Sequence, residues 1–178
     1  MGLKGRSLEE NMEQKNWYAL YIASRQEKKV MQCLQTKNLE CYAPMVKTMR
    51  QWSDRKKMVD LPLLKGYVFV HLKPIERELV FQVRGIVNYV RSAGKDAVVQ
   101  DHEILRLKQI VELGYHIEVL HQCLTYREGD KVKITAGPLK NIEGYIVQSK
   151  NEKFMDIQLE CIGKSIRVKL PVEILESA

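Results

Sequence analysis

The chain has 178 residues, 45% of them hydrophobic and 29% charged, and 29 Lys and Arg against 22 Asp and Glu give a formal net charge of +7 at pH 7. That length and apolar content can bury one sizeable core or two small ones, and no stretch approaches the roughly 18 apolar residues of a membrane span, so no membrane partner is expected. Cys33, Cys41, Cys123 and Cys161 form no Cys-x-x-Cys pair, and His71, His102, His116 and His121 lack metal-site spacing, which points away from zinc, cofactor or redox chemistry and toward reduced thiols in a cytoplasmic chain.

Residues 1–15 mix Lys4, Arg6 and Lys15 with Glu9, Glu10 and Glu13 and have no apolar core, so they read as a polar, disordered tail and not a signal peptide. Asn16–Ala23 has strand spacing, with Trp17, Ala19 and Tyr21 on one face and Tyr18, Leu20 and Ile22 on the other. Ser24-Arg25-Gln26-Glu27 has capping-box spacing, and Val30, Cys33, Leu34 and Lys37 predict a helix of about four turns ending near Asn38. Glu40 to Trp52 reads as a strand interrupted by Pro44, which argues for an edge or a bulge. Arg50 to Lys57 is then a basic hairpin tip, from which Met58–Leu61 returns in an antiparallel ribbon.

Pro62-Leu63-Leu64-Lys65-Gly66-Tyr67-Val68-Phe69-Val70-His71-Leu72 organises the rest. Its β-branched and aromatic residues predict a central strand with Tyr67, Phe69 and His71 on one face and Val68, Val70 and Leu72 on the other, so both faces must be covered. Pro74 opens a second helix with the stripe Ile75, Leu79 and Val83, stopped at Gly85. Ile86–Arg91 is a strand, Ala93–Asp96 a turn, and Asp101 the N-cap of a third helix carrying Ile104, Leu107, Ile110 and Val111 and ending at Gly114. His116–Tyr126 shows no clear period and reads as a linker. Beyond it Val132 and Ile134, Ile157 and Leu159, and Ile166, Val168 and Leu170 alternate with polar residues, Asp156 and Arg167 among them, as four or five short strands of a small barrel would. Gly144 is placed where the returning strand passes close to its neighbour.

Three segments in order, Trp17-Tyr18, residues 62–72, and Gly137-Pro138-Leu139-Lys140-Asn141-Ile142-Glu143-Gly144, resemble the NusG family of transcription elongation factors from about Asn16 to Glu176. The last segment, with Gly129 and Asp130 before it, resembles the KOW motif. Arg50-Gln51-Trp52-Ser53-Asp54-Arg55-Lys56-Lys57 is similar to the connecting segment of the specialised UpxY type, which serves long capsular-polysaccharide operons. The resemblance implies an α+β N-terminal domain at 16–116, an antiparallel sheet with three helices, then a linker at 117–126 and a small all-β KOW domain at 127–178. It also implies a monomeric antitermination factor and no enzyme, and no GxGxxG, Walker, HExxH or GxSxG pattern argues otherwise. A general NusG factor and a ribosome-associated KOW nucleic-acid-binding protein are the alternatives.

Carried over by position, Tyr21, Leu64, Tyr67 and Phe69, with Trp17 and Tyr18 in support, would meet the clamp helices of the RNA polymerase largest subunit. Core packing is the competing role for Trp17, Tyr18 and Phe69. Arg25, Lys28, Lys29 and Arg84 match the region that relatives turn toward non-template DNA, with nascent leader RNA the other candidate ligand. Residues 1–116 hold 20 Lys and Arg against 13 Asp and Glu, an excess that attracts a polyanion. Ile162, Gly163 and Lys164 stand where the KOW domain of relatives meets ribosomal protein or Rho, with Ile162 in place of an exposed Phe. Two departures from the family pattern are Lys65, where many relatives have Pro, and Glu76-Arg77-Glu78 on the second helix, at the site that faces the opposite polymerase jaw in relatives.

Overall fold

The computed structural model describes residues 13–51, 54–114, 116–120, 131–134, 139–149 and 152–169. Readings on most of the N-terminal tail, on Trp52 and Ser53, on 121–126, on Gly129-Asp130, on Gly137-Pro138 and on Leu170 lie outside the described residues. In chain order the first half contains β1 (Asn16–Ile22), α1 (Glu27–Thr36), β2 (Glu40–Tyr42), β3 (Met45–Gln51), β4 (Lys56–Pro62), β5 (Tyr67–Leu72) and a 3-10 helix (Pro74–Gln82). After these come β6 (Ile86–Tyr89), β7 (Arg91–Ser92), β8 (Lys95–Asp96), β9 (Val98–Val99), α2 (Asp101–Glu112), β10 (Ile117–Leu120), β11 (Lys131–Lys133), β12 (Glu143–Ser149), β13 (Glu152–Leu159) and β14 (Lys164–Lys169). Two compact units result, Met1–Ala43 with Leu64–Asp101 and Pro44–Leu63 with His102–Ala178. Every strand pairing among the described residues is antiparallel.

The first unit is a sheet in the order β2-β5-β1-β6, with β9 also paired to β1. As its apolar content predicts, β5 is interior: Val68, Phe69, Val70 and Leu72 are fully buried. Val30 and Leu34 supply the buried face of α1. The expected capping box is absent. The N-cap is Gln26, without a side-chain cap, and Glu27 is itself helical and buried. The second helix also differs from the expectation. Pro74–Gln82 is a 3-10 helix in which Glu76 accepts a hydrogen bond from the Lys73 N–H at 2.7 Å. A three-residue period turns Val80 and Val83 inward and leaves Ile75, Leu79 and Phe81 at the surface, so of the stripe Ile75, Leu79 and Val83 only Val83 is buried.

In the second unit β10-β14-β13-β12-β11 form a five-stranded sheet, of which β10 and β11 are the two ends among the described residues. β10 occupies part of the segment read as a linker. Its pairing with β14 satisfies backbone groups in a stretch without any strand period. Ile157, Leu159, Ile166 and Val168 are buried as their alternation predicts, and Met155 is buried with them. Asp156 and Arg167, expected at the surface, correct the outward half of that pattern: Asp156 is fully buried, and Arg167 grips its carboxylate with two hydrogen bonds of 2.7 and 2.6 Å. Directly opposite in the ladder, the two charges can leave water together as neither could alone. β3 and β4 form a separate two-stranded ribbon that the chain enters at Pro44.

Candidate functional site

β1 and β5 pair so that Tyr21 lies directly opposite Tyr67 at one end of the ladder. Their rings are 5.0 Å apart between centroids, and the Tyr67 hydroxyl donates to the Tyr21 oxygen at 3.4 Å. Tyr21 is 41% exposed and Tyr67 8%. The turn entering β5 fixes this end. Gly66 has φ 79°, the left-handed value that a type II turn requires at its third position, and Lys65 holds the second position, where proline is common. The Gly66 N–H donates to the Glu27 carboxylate at 2.9 Å, and its carbonyl accepts from the Ile22 N–H at 2.9 Å. α1, β1 and the turn are thereby pinned at one point.

The other residues assigned to the docking face are interior. Leu64 and Phe69 are buried in the core, Trp17 stacks on His71 at 4.8 Å, and Tyr18 packs edge-on against Tyr89. His71 Nδ1 in turn meets the Glu40 carboxylate at 2.8 Å. Only the Tyr21 end of the aromatic ladder therefore offers substantial aromatic surface.

The basic candidates come from two segments that the fold joins. The Ala23 N–H donates to the Gly85 carbonyl at 2.7 Å, and a Cβ at Gly85 would stand 2.4 Å from the Gln26 side-chain oxygen. Arg84 and Arg25 thus flank one backbone junction. Both are exposed, as are Lys28 and Lys29 in the first turn of α1. Orphan N–H groups at such a helix start favour anions.

A groove of about 340 Å³ on the first unit is lined in part by Arg77, Glu78, Phe81, Tyr89, Arg91 and Asp96. Arg77 pairs with Asp96 and lies over the Tyr18 and Tyr89 rings at 5.2 and 5.0 Å. Burial pushes the Tyr89 hydroxyl up to about 12, against the opposing pull of Arg77. The central residue of Glu76-Arg77-Glu78 is therefore committed within the unit.

In the second unit Ile162 is 7% exposed, closing the interior at the end of a short 3-10 turn, so its side chain has little surface to offer. Gly163 is exposed and Lys164 half-buried. Sequence reasoning missed Glu27, whose spacing from Ser24 gave it a capping role, and the Asp156–Arg167 pair, which alternation placed in water. Among the described residues no group of three or more His, Cys, Asp or Glu could hold a metal ion, and no helix is long and apolar enough to cross a membrane.

An antiparallel sheet with a half-exposed aromatic pair and a basic helix start, followed by a second β-rich unit, has the surfaces of a binding protein. The profile of the family described as "Transcription termination factor nusG" matches residues 15–108. The chain belongs to the NusG family of transcription termination and antitermination factors, whose members are not enzymes. It is 24% identical to the transcription termination/antitermination protein NusG of Borreliella burgdorferi, over 90% of this chain and 97% of that protein. It is 22% identical to the NusG of Thermus thermophilus, over 86% of this chain and 94% of that protein. A solved structure titled "Domain interaction in Thermotoga maritima NusG" shares the fold at a TM-score of 0.50 and 23% identity, covering 89% of this chain and 94% of that one.

Proposed function

We propose that this chain is a transcription elongation and antitermination factor that docks on the clamp helices of the RNA polymerase largest subunit through Tyr21 and the adjoining edge of Tyr67. The observation that carries this is the Tyr21–Tyr67 pair, an aromatic anchor held by the Glu27–Gly66 contact and open to solvent on one side. Half-exposed phenols suit an interface because one end stays wet while the ring is buried. Arg25 and Arg84, with Lys28 and Lys29, are the surface for non-template DNA or nascent leader RNA. The second unit contains the KOW domain, whose contact with ribosomal protein or Rho falls on Gly163 and Lys164, beside the buried Ile162.

Within the family the reading is the UpxY type, acting as a monomer on one long operon, with capsular-polysaccharide synthesis as its output. Support comes from the basic segment 50–57, of which Arg50, Gln51, Lys56 and Lys57 form the last two pairs of the β3–β4 ladder. In a binding assay with purified core polymerase, Tyr21→Ala should lose about 2 kcal/mol, roughly 30-fold in Kd, with an unchanged thermal transition. Normal binding by that variant would overturn the docking face. Polymerase-dependent occupancy confined to one or a few operons is expected, and broad occupancy would make the chain a general factor.

A further inference from the structure

The β3–β4 ribbon is not accounted for by the docking face. Seven consecutive pairs, from Met45–Pro62 to Gln51–Lys56, join two strands that pair with no third among the described residues. At about 3.3 Å per residue the ladder is roughly 23 Å long. Its proximal end is half-buried at Met45, Val46, Val59, Leu61 and Pro62, while every described residue from Lys47 to Gln51 and from Asp54 to Met58 is exposed. Met49 and Met58, opposite each other, are 61% and 52% exposed. An isolated two-stranded ribbon is marginal in water, so a distal half with no buried face is held only by its ladder.

Charge along this ladder is ordered. Near the base Lys47 faces Asp60, an opposite-charge pair. Further out Arg50 faces Lys57, and neither has an ion-pair partner among the described residues. Lys56 adds a third cation one step on, opposite the neutral Gln51, and Arg55 a fourth. Directly opposed side chains have Cβ atoms roughly 5 Å apart, where like charges destabilise the pair. Such a pair becomes favourable when an anion sits between the two heads.

We infer that the β3–β4 ribbon is an arm that lies along duplex DNA, with Arg50 and Lys57 converging on a single backbone phosphate. The shape selects the duplex. Two strands about 4.8 Å apart fit a major groove about 12 Å wide, whereas the major groove of A-form RNA is too narrow for side chains to read. The Arg50–Lys57 pair and Lys56 point to opposite faces, so both flanks of the arm present cations to the phosphates that border the groove. This grip needs no polymerase and is independent of the Tyr21 face.

The test uses the full chain with a labelled 20-base-pair DNA duplex, an RNA duplex of the same sequence and each single strand, titrated across a range of salt concentrations. Duplex DNA should bind tightest. In the double variant Arg50→Ala/Lys57→Ala its affinity should fall about tenfold or more, and the slope of log K against log salt should shrink by about 1, the value for one shared phosphate. Arg50→Ala alone should leave the thermal transition unchanged or raise it, because it removes a repulsion, while still weakening DNA binding. That combination separates a ligand site from a structural role. Arg25→Ala/Arg84→Ala serves as the control surface. Tighter binding to either RNA form or to a single strand, no binding to any probe at low salt, or loss of duplex binding in the control pair but not in the ribbon pair would each overturn the inference.

Discussion

Both units bury a carboxylate, and they neutralise it by different means. In the first, Glu27 accepts a hydrogen bond from the backbone N–H of Gly66, so the contact fixes where a turn sits. In the second, Asp156 is held by both arms of the Arg167 guanidinium across one rung of a ladder, with Phe154 5.8 Å from the same guanidinium. The first is a positional device that needs an acceptor oxygen at one point. The second needs full charge on both partners, because removing either leaves the other desolvated and unpaired.

This contrast can be broken at four points. The largest loss belongs to neither carboxylate: Phe69→Ala at the centre of the first sheet should cost about 3–5 kcal/mol in denaturant titration, a yardstick for apolar packing alone. Asp156→Ala should approach that, at about 3 kcal/mol, since Arg167 keeps partial access to water, and Asp156→Asn should recover little of it. Replacing both partners by Asp156→Leu/Arg167→Met should restore most of the stability. If the single and double variants lose equally, the pair is not the stabilising unit.

Glu27 should behave otherwise. Glu27→Ala strips the acceptor from the Gly66 N–H and should cost about 1–3 kcal/mol, whereas Glu27→Gln retains an oxygen and should cost under about 1 kcal/mol. An equal loss for the two would mean that charge matters here as it does at Asp156. The polymerase-binding assay sharpens the point, because Glu27→Ala should also weaken binding by loosening the turn that carries Tyr67. The smallest effect concerns Cys41. Burial, and then the neighbouring Glu40, push its thiol from 9.0 up to about 11. At pH 8 it should therefore hold about a hundredth of the ordinary thiolate and alkylate correspondingly slowly. With the folded pKa above the unfolded one, its stabilising share is complete below pH 9 and is lost as pH rises from 9 to about 11. Alkylation at the rate of a free thiol would refute the burial.

Gly144 shows how far spacing alone can reach. A Cβ there would stand 2.7 Å from the Asp156 carbonyl oxygen, the close passage its place in the sequence implies. The central strand β5, the ribbon, the helix starting at Asp101 and the stop at Gly114 were equally legible, because apolar period, Pro and Gly act locally. Trp17, Tyr18, Leu64 and Phe69 show the limit. Their residue types suit a docking face or a core alike, and only the packing of neighbours from distant parts of the chain decided for the core.

The sequence by itself determined the central strand β5, the ribbon and the helix starting at Asp101, the membership in the NusG family and the basic character of residues 50–57, since these rest on local period, composition and ordered motifs. Tertiary structure alone decided that Glu27 serves Gly66 and not its own helix start, and that the second helix is wound three residues to the turn. It also decided that Asp156 and Arg167 turn inward, and that Arg50 stands opposite Lys57. Each depends on which backbone group or opposite charge arrives from elsewhere in the chain, and no window of neighbouring residues contains that information.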